Sequence, residues 1–457
     1  MYSFHFNNSK IGIFGLGKTG IYSIKMLLRT SAQLFVWDDN IDKIIQAKKL
    51  FSSSKIFFSH TINNNSVRIL NFVIISPGIP NKYPVPHKIF SICKHFKIPT
   101  LTDIDLLFQF YHKANFIGVT GTNGKSTTVS LIKTILECNS QISALGGNIG
   151  IPALSLPSFH NSNQHYILEL SSYQLDIMRY YKFNIAVLLS ITPDHLDRYH
   201  SFVEYRDQKI KIFYNQDRND LAVISLNQSV NEIIYDQLIQ DNKQTIIAIS
   251  NKKIINNGIS VLGNKLYDNY FEHQVFNIPF SKHLIGTHNA ENIAMSYVVA
   301  KRLNCNSRKI INSLSIYKGL NHRMEQFLKI NNLSFINDSK ASNTSSTRMA
   351  LNSYKNIHWI VGGIFKEKNT APLNQVLNNV EHCYLIGRDY KKFLDLLESN
   401  KISYSISITI KDALIEIKNK VKYGTILLSP CCSSFDQWKN FEERGLVYKK
   451  LVFNIFT

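Results

Sequence analysis

The sequence lacks any long hydrophobic run. Across its 457 residues no stretch reaches the roughly 18 to 20 uninterrupted apolar residues that a membrane span needs. The opening MYSFHFNNSK has neither the apolar core nor the cleavage pattern of a signal peptide. We therefore expect a cytoplasmic protein without a membrane span. The chain far exceeds one typical core, so two or three domains are expected.

The cysteines lack any zinc-like or redox spacing, and acidic residues are scarce. The six cysteines include no CxxC pair, which predicts reduced thiols. There are 32 Asp plus Glu against 52 Lys plus Arg, a net charge of +20. Such an excess suits nucleic acid or phosphorylated substrates. The lysines are scattered through Asn- and Ile-rich runs instead of forming one block, so we expect no nucleic-acid partner.

The first segment has the pattern of a strand, a glycine turn and a helix. Strand-like residues Lys10 to Phe14 lead into Gly15-Leu16-Gly17-Lys18-Thr19-Gly20, and a helical pattern runs from Ile21 to Leu28. Glycines let backbone N–H groups approach a phosphate at a helix N-terminus, although many glycine turns only reverse the chain. Both interpretations, anion binding and chain reversal, stay open from these residues alone.

Two further strands of this segment end in polar residues. The strand Gln33 to Trp37 ends at Asp38 and Asp39, where a dinucleotide fold recognises a sugar hydroxyl. The strand Asn71 to Ile75 ends in Ser76-Pro77-Gly78. We expect this segment to end near residue 112.

The second segment carries the strongest motif of the chain. The strand Asn115 to Thr120 leads into Gly121-Thr122-Asn123-Gly124-Lys125-Ser126-Thr127-Thr128, and a helix follows to about Glu137. Such a loop supplies backbone donors for the β and γ phosphates, Lys125 adds a mobile cation, and Ser126 or Thr127 offers Mg²⁺ a hydroxyl. The spacing departs from GxxxxGK[ST], since Val119 stands where the first glycine is expected. The combination predicts ATP binding.

An acid and a polar loop follow the next strands. The strand Tyr166 to Leu170 carries Glu169. A buried carboxylate needs a metal, a lysine or a proton to compensate it, and we favour a metal beside a phosphate loop. The strand Ile185 to Ile191 runs into Thr192-Pro193-Asp194-His195-Leu196-Asp197-Arg198. There Asp194 suits a helix start, which does not exclude metal binding by His195.

Helical patterns close the second segment. Lys209 lies in a pattern from Val203 to Phe213, and the residues alone predict an ordinary solvated lysine. Gly286-Thr287-His288-Asn289-Ala290-Glu291-Asn292 opens a helix to about Leu303, where amide side chains either recognise a purine edge or cap the helix.

The third segment, from about Lys318, repeats the alternation of strands and helices and predicts another parallel sheet. The expected strands are Leu333 to Ile336, Ile357 to Val361, Cys383 to Ile386 and Thr425 to Leu428. Polar clusters again follow the strands, at the sheet edge where open α/β sheets bind ligands.

In order along the whole chain, these motifs resemble the Mur ligase family. The matching stretches are GTNGKSTT, GGNIG at Gly146 to Gly150, LELSSYQ, TPDHLDRY, GTHN, NHRME, NDSKASNTSST and SPCCSSFDQWKNFEERG. The stretches NDSKASN and SSFDQWKNFEERG are most similar to the members that add D-glutamate. The resemblance implies three α/β domains. These are a Rossmann-like UDP-binding domain at 1–112, a P-loop-like ATPase domain at 113–317 and a mobile Rossmann-like amino-acid domain at 318–457.

The resemblance also implies roles for individual residues. Lys125, Ser126 and Thr127 would bind phosphates, Asn148 would lie near the γ phosphate, and Mg²⁺ would be held by Ser126, Glu169, His195 and a carbamylated Lys209. Further ATP contacts match Asn289, Asn292, His322, Arg323 and Asp338. Positions for the UDP-linked substrate are Gly17, Lys18, Thr19, Gly20, Asp38, Ser76, Gly78, Ser171 and Gln174. Positions for D-glutamate are Lys340, Ser342, Lys366, Ser434, Phe435 and Phe441.

Two positions depart from the family pattern. Asn40 stands where some relatives have an arginine that contacts the uracil, which leaves the uracil contacts open. Ser342 replaces a threonine and keeps the hydroxyl.

The implied reaction joins D-glutamate to UDP-N-acetylmuramoyl-L-alanine. The alanine carboxylate attacks the γ phosphate of ATP, and the amine of D-glutamate then attacks the acyl phosphate. A carboxylate meeting a triphosphate is strongly repelled unless two Mg²⁺ ions and several cations neutralise the charge. Carbamylation would turn Lys209 from a cation into an anionic ligand for the second ion. The resemblance implies a monomer in peptidoglycan precursor synthesis.

Three rival interpretations explain less of the sequence. A folylpolyglutamate-type ligase shares the GTNGK loop but not GLGKTG or NDSKASN. A nicotinamide-dependent oxidoreductase explains Gly15 to Asp38 and leaves Gly121 to Thr128 unexplained. A nucleic-acid-binding ATPase would use the positive charge, yet the chain has no interleaved aromatic and basic motif.

Overall fold

The chain folds as the predicted α/β protein, with three mostly parallel sheets. The computed structural model describes residues 4–82, 85–194, 198–281, 283–367 and 369–457. Two compact units form. Met1–Ile278 with Ala290–Ser313 holds the first two sheets, and Pro279–Asn289 with Leu314–Thr457 holds the third. None of the helices in the described ranges is both long and apolar enough to cross a bilayer.

The first sheet is parallel and, over the described residues, has five strands. They are β1 (Lys10–Phe14), β2 (Gln33–Trp37), β3 (Ile56–Ser59), β4 (Phe72–Ile75) and β5 (Thr100–Leu101), in the order β3-β2-β1-β4-β5. The helices are α1 (Lys18–Leu27), α2 (Ile41–Leu50), α3 (Asn64–Val67), α4 (Lys88–His95) and α5 (Asp103–Phe110). Helix α1 begins three residues before the expected Ile21, which places Lys18, Thr19 and Gly20 in its first turn.

Helix α5 ties the first sheet to the part of the chain that forms the second. The Asp105 carboxylate accepts hydrogen bonds from Thr102 N at 2.8 Å and Thr102 Oγ1 at 2.9 Å. Its other oxygen accepts from Arg179 N at 3.1 Å and Tyr180 N at 2.7 Å. Because a buried carboxylate is stable only when its oxygens are paired, this side chain fixes both segments together.

The neighbouring Asp103 gives stability a pH dependence. Burial raises the pKa of the Asp103 carboxyl to about 7 from its ordinary 3.8, since desolvation disfavours the charged form. The folded chain therefore keeps a proton that the unfolded chain releases at lower pH. We expect this group to make the free energy of unfolding fall as the pH rises from about 4 to about 7.

Asp103→Asn tests this expectation, because asparagine does not titrate and so removes the contribution of this carboxyl to the pH dependence of the free energy of unfolding. Urea unfolding followed by circular dichroism at about pH 4, 5.5 and 7 measures it. The exposed Asp236 on the solvent side of another helix serves as the matched control, and Asp236→Asn should keep the wild-type slope. An identical slope in Asp103→Asn and wild type would refute the assignment.

The second sheet is parallel except at one edge. Its strands over the described residues are β6 (Asn115–Thr120), β7 (Ile142–Gly147), β8 (Gln164–Glu169), β9 (Ile185–Leu188), β10 (Leu221–Ser225), β11 (Thr245–Ser250), β12 (Gly258–Leu262), β13 (Lys265–Asp268) and β14 (Gln274–Asn277). The order is β14-β13-β12-β11-β10-β9-β6-β8-β7. Strands β12, β13 and β14 pair antiparallel, an extension that the sequence did not predict. The phosphate loop follows β6, near the centre of the sheet.

Helices of the second sheet and its connections run from α6 to α11. They are α6 (Lys125–Cys138), α7 (Ser172–Ile177), α8 (Phe202–Ile210), α9 (Ser229–Asp241), α10 (His288–Arg302) and α11 (Ser307–Ile316). Helix α8 continues into a 3₁₀ turn at Lys211–Phe213. Helix α8 begins at Phe202, eight positions after Asp194, and Ser201 caps it. The three residues that follow Asp194 lie outside the described residues, so its predicted role at a helix start stays a prediction.

The third sheet is parallel with one antiparallel edge strand. Its strands over the described residues are β15 (Glu325–Ile330), β16 (Leu333–Asn337), β17 (Ile357–Gly362), β18 (Val380–Ile386), β19 (Tyr404–Ile408) and β20 (Gly424–Leu428), in the order β15-β16-β20-β17-β18-β19. The helices are α12 (Thr344–Ser353), α13 (Leu394–Ser399), α14 (Ile410–Lys420) and α15 (Phe441–Phe456). The antiparallel strand is β15, paired with β16.

Candidate functional site

The glycine turn of the first sheet opens onto a cavity of about 380 Å³. Its lining includes most of the residues predicted for the UDP-linked substrate, namely Gly17, Lys18, Thr19, Asp38, Ser76 and Gly78. Gly20 lies behind the turn. A Cβ at this position would come within 2.0 Å of the Gly15 carbonyl oxygen, so only glycine lets helix α1 approach the turn this closely.

Asp38 accepts hydrogen bonds from the backbone of the glycine turn and from the start of α2. Its Oδ2 accepts a hydrogen bond from Leu16 N at 2.6 Å, and its Oδ1 accepts one from Asn40 N at 2.9 Å. Asn40 has a local role, since its side chain caps α2 by accepting from Asp42 N. The predicted sugar-binding acid therefore also holds the backbone of the turn in place.

The loop Gly121–Thr128, predicted to bind phosphates, forms a glycine-rich turn that leads into α6. Gly124 is the N-cap residue with φ +81°, and a Cβ there would meet Asn292 Oδ1 at 2.5 Å. Lys125 Nζ donates to the carbonyl oxygens of Gly121 at 2.9 Å and Thr122 at 2.6 Å. The left-handed glycine and the helix N-terminus give the loop the backbone donors that anions bind.

Glu169 lies at the end of β8 beside this loop and is 2% exposed. Its Oε2 accepts a hydrogen bond from Ser126 Oγ at 2.5 Å, and its Oε1 accepts one from Asn148 Nδ2 at 2.9 Å. The structure thus brings together three residues predicted for metal and phosphate binding, from three separate segments of the chain.

These residues fit Mg²⁺. A buried carboxylate and a serine hydroxyl are hard oxygen ligands, and Mg²⁺ usually takes one or two protein ligands with phosphate oxygens and waters as the rest. Within the described ranges no three His, Cys, Asp or Glu side chains form a metal-binding group. The predicted ligand His195 lies outside the described residues.

Lys209 is buried, contrary to what its helical pattern predicts. It is 1% exposed, its Nζ donates to the Gly121 carbonyl oxygen at 2.7 Å, and it lies 4.6 Å from the ring centre of Tyr205. Burial, and next the charge of Lys125, hold the pKa of Lys209 well below the ordinary lysine value. A pKa lowered in this way favours a neutral, nucleophilic amine.

Two other predicted residues of this unit have local contacts. Ser171 and Gln174 form a capping box at the start of α7, with Gln174 Oε1 accepting from Ser171 N at 3.0 Å. Asn292 Oδ1 accepts from Thr128 Oγ1 at 3.0 Å, so it packs behind the phosphate loop inside α10 instead of capping that helix. Thr127 is half-buried and Asn123 likewise.

Glu291 is a residue of the site that the sequence did not single out. Its Oε1 accepts hydrogen bonds from Ser190 N at 2.8 Å and Ser190 Oγ at 2.7 Å. It thereby anchors the start of the loop that carries Asp194. The signal in the sequence is its place between Asn289 and Asn292, in the first turn of α10.

The second unit contains the other predicted ATP contacts. Asn289 Nδ2 donates to the Ile285 carbonyl oxygen at 2.7 Å. His322 Nδ1 pairs with Asn337 Nδ2 at 2.9 Å, and burial lowers the pKa of this histidine. Asp338 Oδ2 accepts from Ser429 Oγ at 2.8 Å, and burial raises the pKa of this carboxyl to about 7. Arg323 lies next to His322 in the turn before β15.

The residues predicted for D-glutamate lie on the loops after β16, β17 and β20, except Phe441, which begins α15. Lys340 Nζ is 5.0 Å from the ring centre of Phe441, and the exposed Lys366 has its Nζ 5.7 Å from that of Phe435. Ser434 is buried at 2% exposure, whereas Ser342 is exposed. These are the carboxyl ends of neighbouring parallel strands, as the sequence predicts.

Arg444 joins two of these loops and was missed as a site residue. The side chain is fully buried on α15. Its Nη2 donates to the Ser339 carbonyl oxygen at 2.6 Å, its Nε to Ser339 Oγ at 3.0 Å, and its Nη1 to the Cys432 carbonyl oxygen at 3.1 Å. A charged residue on a helix is normally solvated, so the helical pattern gave no signal.

We expect Arg444→Met to lower the free energy of unfolding of this unit by about 3 kcal/mol, because it leaves buried acceptors unpaired. The loops carrying Lys340 and Ser434 should loosen with it. Urea unfolding followed by the fluorescence of Trp359 and Trp438 measures the loss. Lys450→Met, an exposed position on the same helix, should unfold like wild type, and equal unfolding of the two variants would contradict the role given to Arg444.

The fold and the loop after β6 define a nucleotide-binding α/β protein. Residues 119–300 match the family described as Mur ligase middle domain. The chain is 40% identical over 456 residues to a UDP-N-acetylmuramoylalanine--D-glutamate ligase of Rickettsia prowazekii (strain Madrid E), covering 98% of both chains. It is 33% identical over 461 residues to the enzyme of that name from Rhodospirillum rubrum, covering 98% of this chain and 95% of the relative. The chain belongs to the Mur ligase family.

Solved structures support the fold. The MurF ligase of Thermotoga maritima in complex with ADP aligns with a TM-score of 0.61 at 16% identity, covering 98% of this chain and 96% of that one. The UDP-N-acetylmuramate-alanine ligase MurC of the same organism aligns with a TM-score of 0.60 at 14% identity, covering 98% and 99%. The three-sheet architecture is therefore that of known Mur ligases.

Proposed function

We propose that this chain is an ATP-dependent ligase that adds D-glutamate to UDP-N-acetylmuramoyl-L-alanine in the cytoplasmic synthesis of peptidoglycan precursors. The observation that carries the proposal is the cluster at the phosphate loop, where Ser126, Glu169 and Asn148 meet beside a buried Lys209. The full-length relatives with this activity in their names support the choice of substrates. We propose a monomer with domains at 1–112, 113–317 and 318–457.

The first domain receives the UDP end of the substrate. The cavity at the glycine turn offers backbone N–H groups at the start of α1 and a side chain, Asp38, that is held in place by Leu16 N. A helix N-terminus favours negative charge, so the turn binds the diphosphate. Asp38 also accepts from a sugar hydroxyl.

The phosphate loop orients ATP. Backbone donors from Gly121 to Lys125 bind the β and γ phosphates, and the ammonium of Lys125 moves from its carbonyl acceptors to a phosphate oxygen. Ser126, Glu169 and His195 would hold Mg²⁺, which supplies neutralising charge between the phosphates. Asn148, whose Nδ2 donates to Glu169 Oε1, would donate its other amide hydrogen to the γ phosphate.

Lys209 is proposed to carry a carbamate. Its neutral amine attacks CO₂, a C–N bond forms as one C=O π bond opens, and one proton is lost to solvent, which turns the side chain into an anionic oxygen ligand. The buried position and the lowered pKa of Lys209 support this step, because only the unprotonated amine reacts. The carbamate would hold a second Mg²⁺.

Two displacements follow on this framework. The L-alanine carboxylate attacks the γ phosphorus, the bond to the bridging oxygen breaks, and ADP leaves. The amine of D-glutamate then attacks the carbonyl carbon of the acyl phosphate, loses a proton through a tetrahedral intermediate, and inorganic phosphate leaves. Lys340 and Lys366 pair with the two carboxylates of D-glutamate, with the hydroxyls of Ser342 and Ser434 nearby. Asn289, Asn292, His322, Arg323 and Asp338 complete the ATP contacts.

A substrate-dependence assay tests the proposal. We expect phosphate release from ATP only when both UDP-N-acetylmuramoyl-L-alanine and D-glutamate are present, because the acyl phosphate forms from one and is consumed by the other. Phosphate release is followed with a coupled colour assay, and L-glutamate serves as the matched control. Turnover with L-glutamate or with a folate in place of these substrates would overturn the assignment and favour a folylpolyglutamate-type ligase.

A further inference from the structure

Helix α2 places a lysine where a helix does not favour one. Asn40 caps the helix, so Lys43 lies in its first turn. Positive charge near a helix N-terminus is disfavoured, because the backbone N–H groups there already carry partial positive charge. The other lysines of α2, Lys48 and Lys49, lie in the last turn, where cations are favoured. Lys43 therefore opposes the charge pattern of its own helix.

Lys43 reaches from α2 to the glycine turn. Its Nζ lies 3.6 Å from Asp38 Oδ2, the same oxygen that accepts the Leu16 N–H at 2.6 Å. The ammonium thus lies beside the backbone donors of the turn, and Lys43 lines the cavity there. Its side chain is 46% exposed, and an ion pair so open to solvent adds little stability. Pairing with Asp38 alone does not account for the cation.

Among the residues that the structure describes, the charged ones that line the cavity are two lysines, Lys18 and Lys43, and two acids, Asp38 and Asp39. A UDP-linked ligand adds the negative charges of a diphosphate to those of the acids. The side-chain oxygen of Asn40 accepts from Asp42 N, and the neutral amide brings no positive charge to offset them. A second cation beside Lys18 would offset part of this negative charge.

We propose that Lys43 binds the diphosphate of the UDP-linked substrate, together with the backbone N–H groups of the glycine turn. The inference rests on the proposed function and deepens it, because it names a recognition residue outside the family motifs. In the absence of ligand Asp38 holds the ammonium close to the turn. When the ligand binds, the Lys43 ammonium contacts the diphosphate as well as Asp38. Its positive charge then offsets the negative charge of both groups.

The test compares UDP, UMP and uridine as ligands of the full chain by isothermal titration calorimetry. Lys43→Met should weaken UDP binding roughly tenfold, as expected for the loss of one charge-assisted contact. It should weaken UMP binding less and leave uridine binding unchanged. Lys43→Arg should retain most of the UDP affinity. The salt dependence of UDP binding should become shallower in Lys43→Met, because one ionic contact is lost.

Lys49→Met is the matched control, since it removes the same charge from an exposed position on the same helix. It should bind UDP like wild type. Urea unfolding separates binding from folding: Lys43→Met should be at least as stable as Lys49→Met, because it removes a cation that the helix dipole disfavours. A Lys43→Met variant that binds UDP like wild type, or that loses uridine and UDP affinity equally, would overturn the proposal.

The outcome can be separated from that of the proposed function. If UDP binding depends on Lys43 but D-glutamate is not a substrate, the ligase assignment fails and the diphosphate contact stands. If the ligase assay succeeds while Lys43→Met leaves both UDP binding and the KM for the UDP-linked substrate unchanged, the contact between Lys43 and the diphosphate is rejected and the ligase assignment stands. The KM for ATP should stay unchanged in Lys43→Met, since Lys43 belongs to the first sheet and the phosphate loop to the second.

Discussion

Lys125→Met is expected to lower kcat/KM for ATP by about 10³-fold or more. Lys125 carries the mobile cation of the phosphate loop, and its Nζ already lies at hydrogen-bond distance from the carbonyl oxygens of Gly121 and Thr122. Methionine keeps most of the side-chain volume and removes the charge. The loop should therefore stay folded while the charge that develops on the transferred phosphoryl group loses a partner. Steady-state phosphate release with both substrates measures the effect.

Lys133→Met provides the comparison for this variant. Lys133 lies on the same helix, eight residues or about 12 Å further along, and its Nζ donates to the Ser143 carbonyl oxygen. Lys133→Met thus removes one positive charge from α6, as Lys125→Met does, but at a position away from the loop. We expect near wild-type turnover from Lys133→Met. Comparable activity in Lys125→Met and Lys133→Met would remove Lys125 from the mechanism.

Lys209→Ala should lower turnover by about 10³-fold. A small carboxylic acid such as acetate should restore part of the lost activity. Alanine removes the amine that would carry the carbamate and leaves a cavity next to the Gly121 carbonyl oxygen. An added carboxylate can enter this space and supply the missing anionic oxygens. The measurement is phosphate release as a function of acid concentration.

Specific rescue distinguishes a lost carbamate from a damaged fold. Lys125→Ala should not respond to the same acid, because the group it lacks is a cation. Equal stimulation of the Lys125 and Lys209 variants would indicate a general salt effect. Unimpaired turnover by Lys209→Ala would reject the carbamylation proposal, and mass spectrometry that finds no added carbamate under gentle conditions would agree with that rejection.

The sequence predicted those parts of the fold that short-range patterns specify. The strands Lys10–Phe14, Gln33–Trp37 and Asn115–Thr120 have the expected bounds, because each is a short apolar run followed by polar or glycine residues. The phosphate loop was recognisable for a similar reason: its glycines, lysine and hydroxyls are consecutive, and backbone geometry alone brings them together.

Long-range packing explains what the sequence did not predict. Strands β12 to β14 are only four or five residues long, so their pairing follows from the sheet edge they extend. The burial of Lys209 and Arg444 depends on residues far away in the chain, Gly121 and Ser339. Helical periodicity places such side chains on a surface, and tertiary contacts then decide whether that surface meets water.

Glu169 accepts a hydrogen bond from Ser126 on one carboxylate oxygen and from Asn148 on the other, so a single negative charge orients two side chains from different segments of the chain. If Mg²⁺ were held by Glu169 and Ser126, its positive charge would take the place of the hydrogen bond between them and free the serine hydroxyl. Asn148 would still have the other oxygen as its acceptor. A substitution of Glu169 would therefore disturb both side chains, whereas a substitution of Ser126 would leave Asn148 its hydrogen bond.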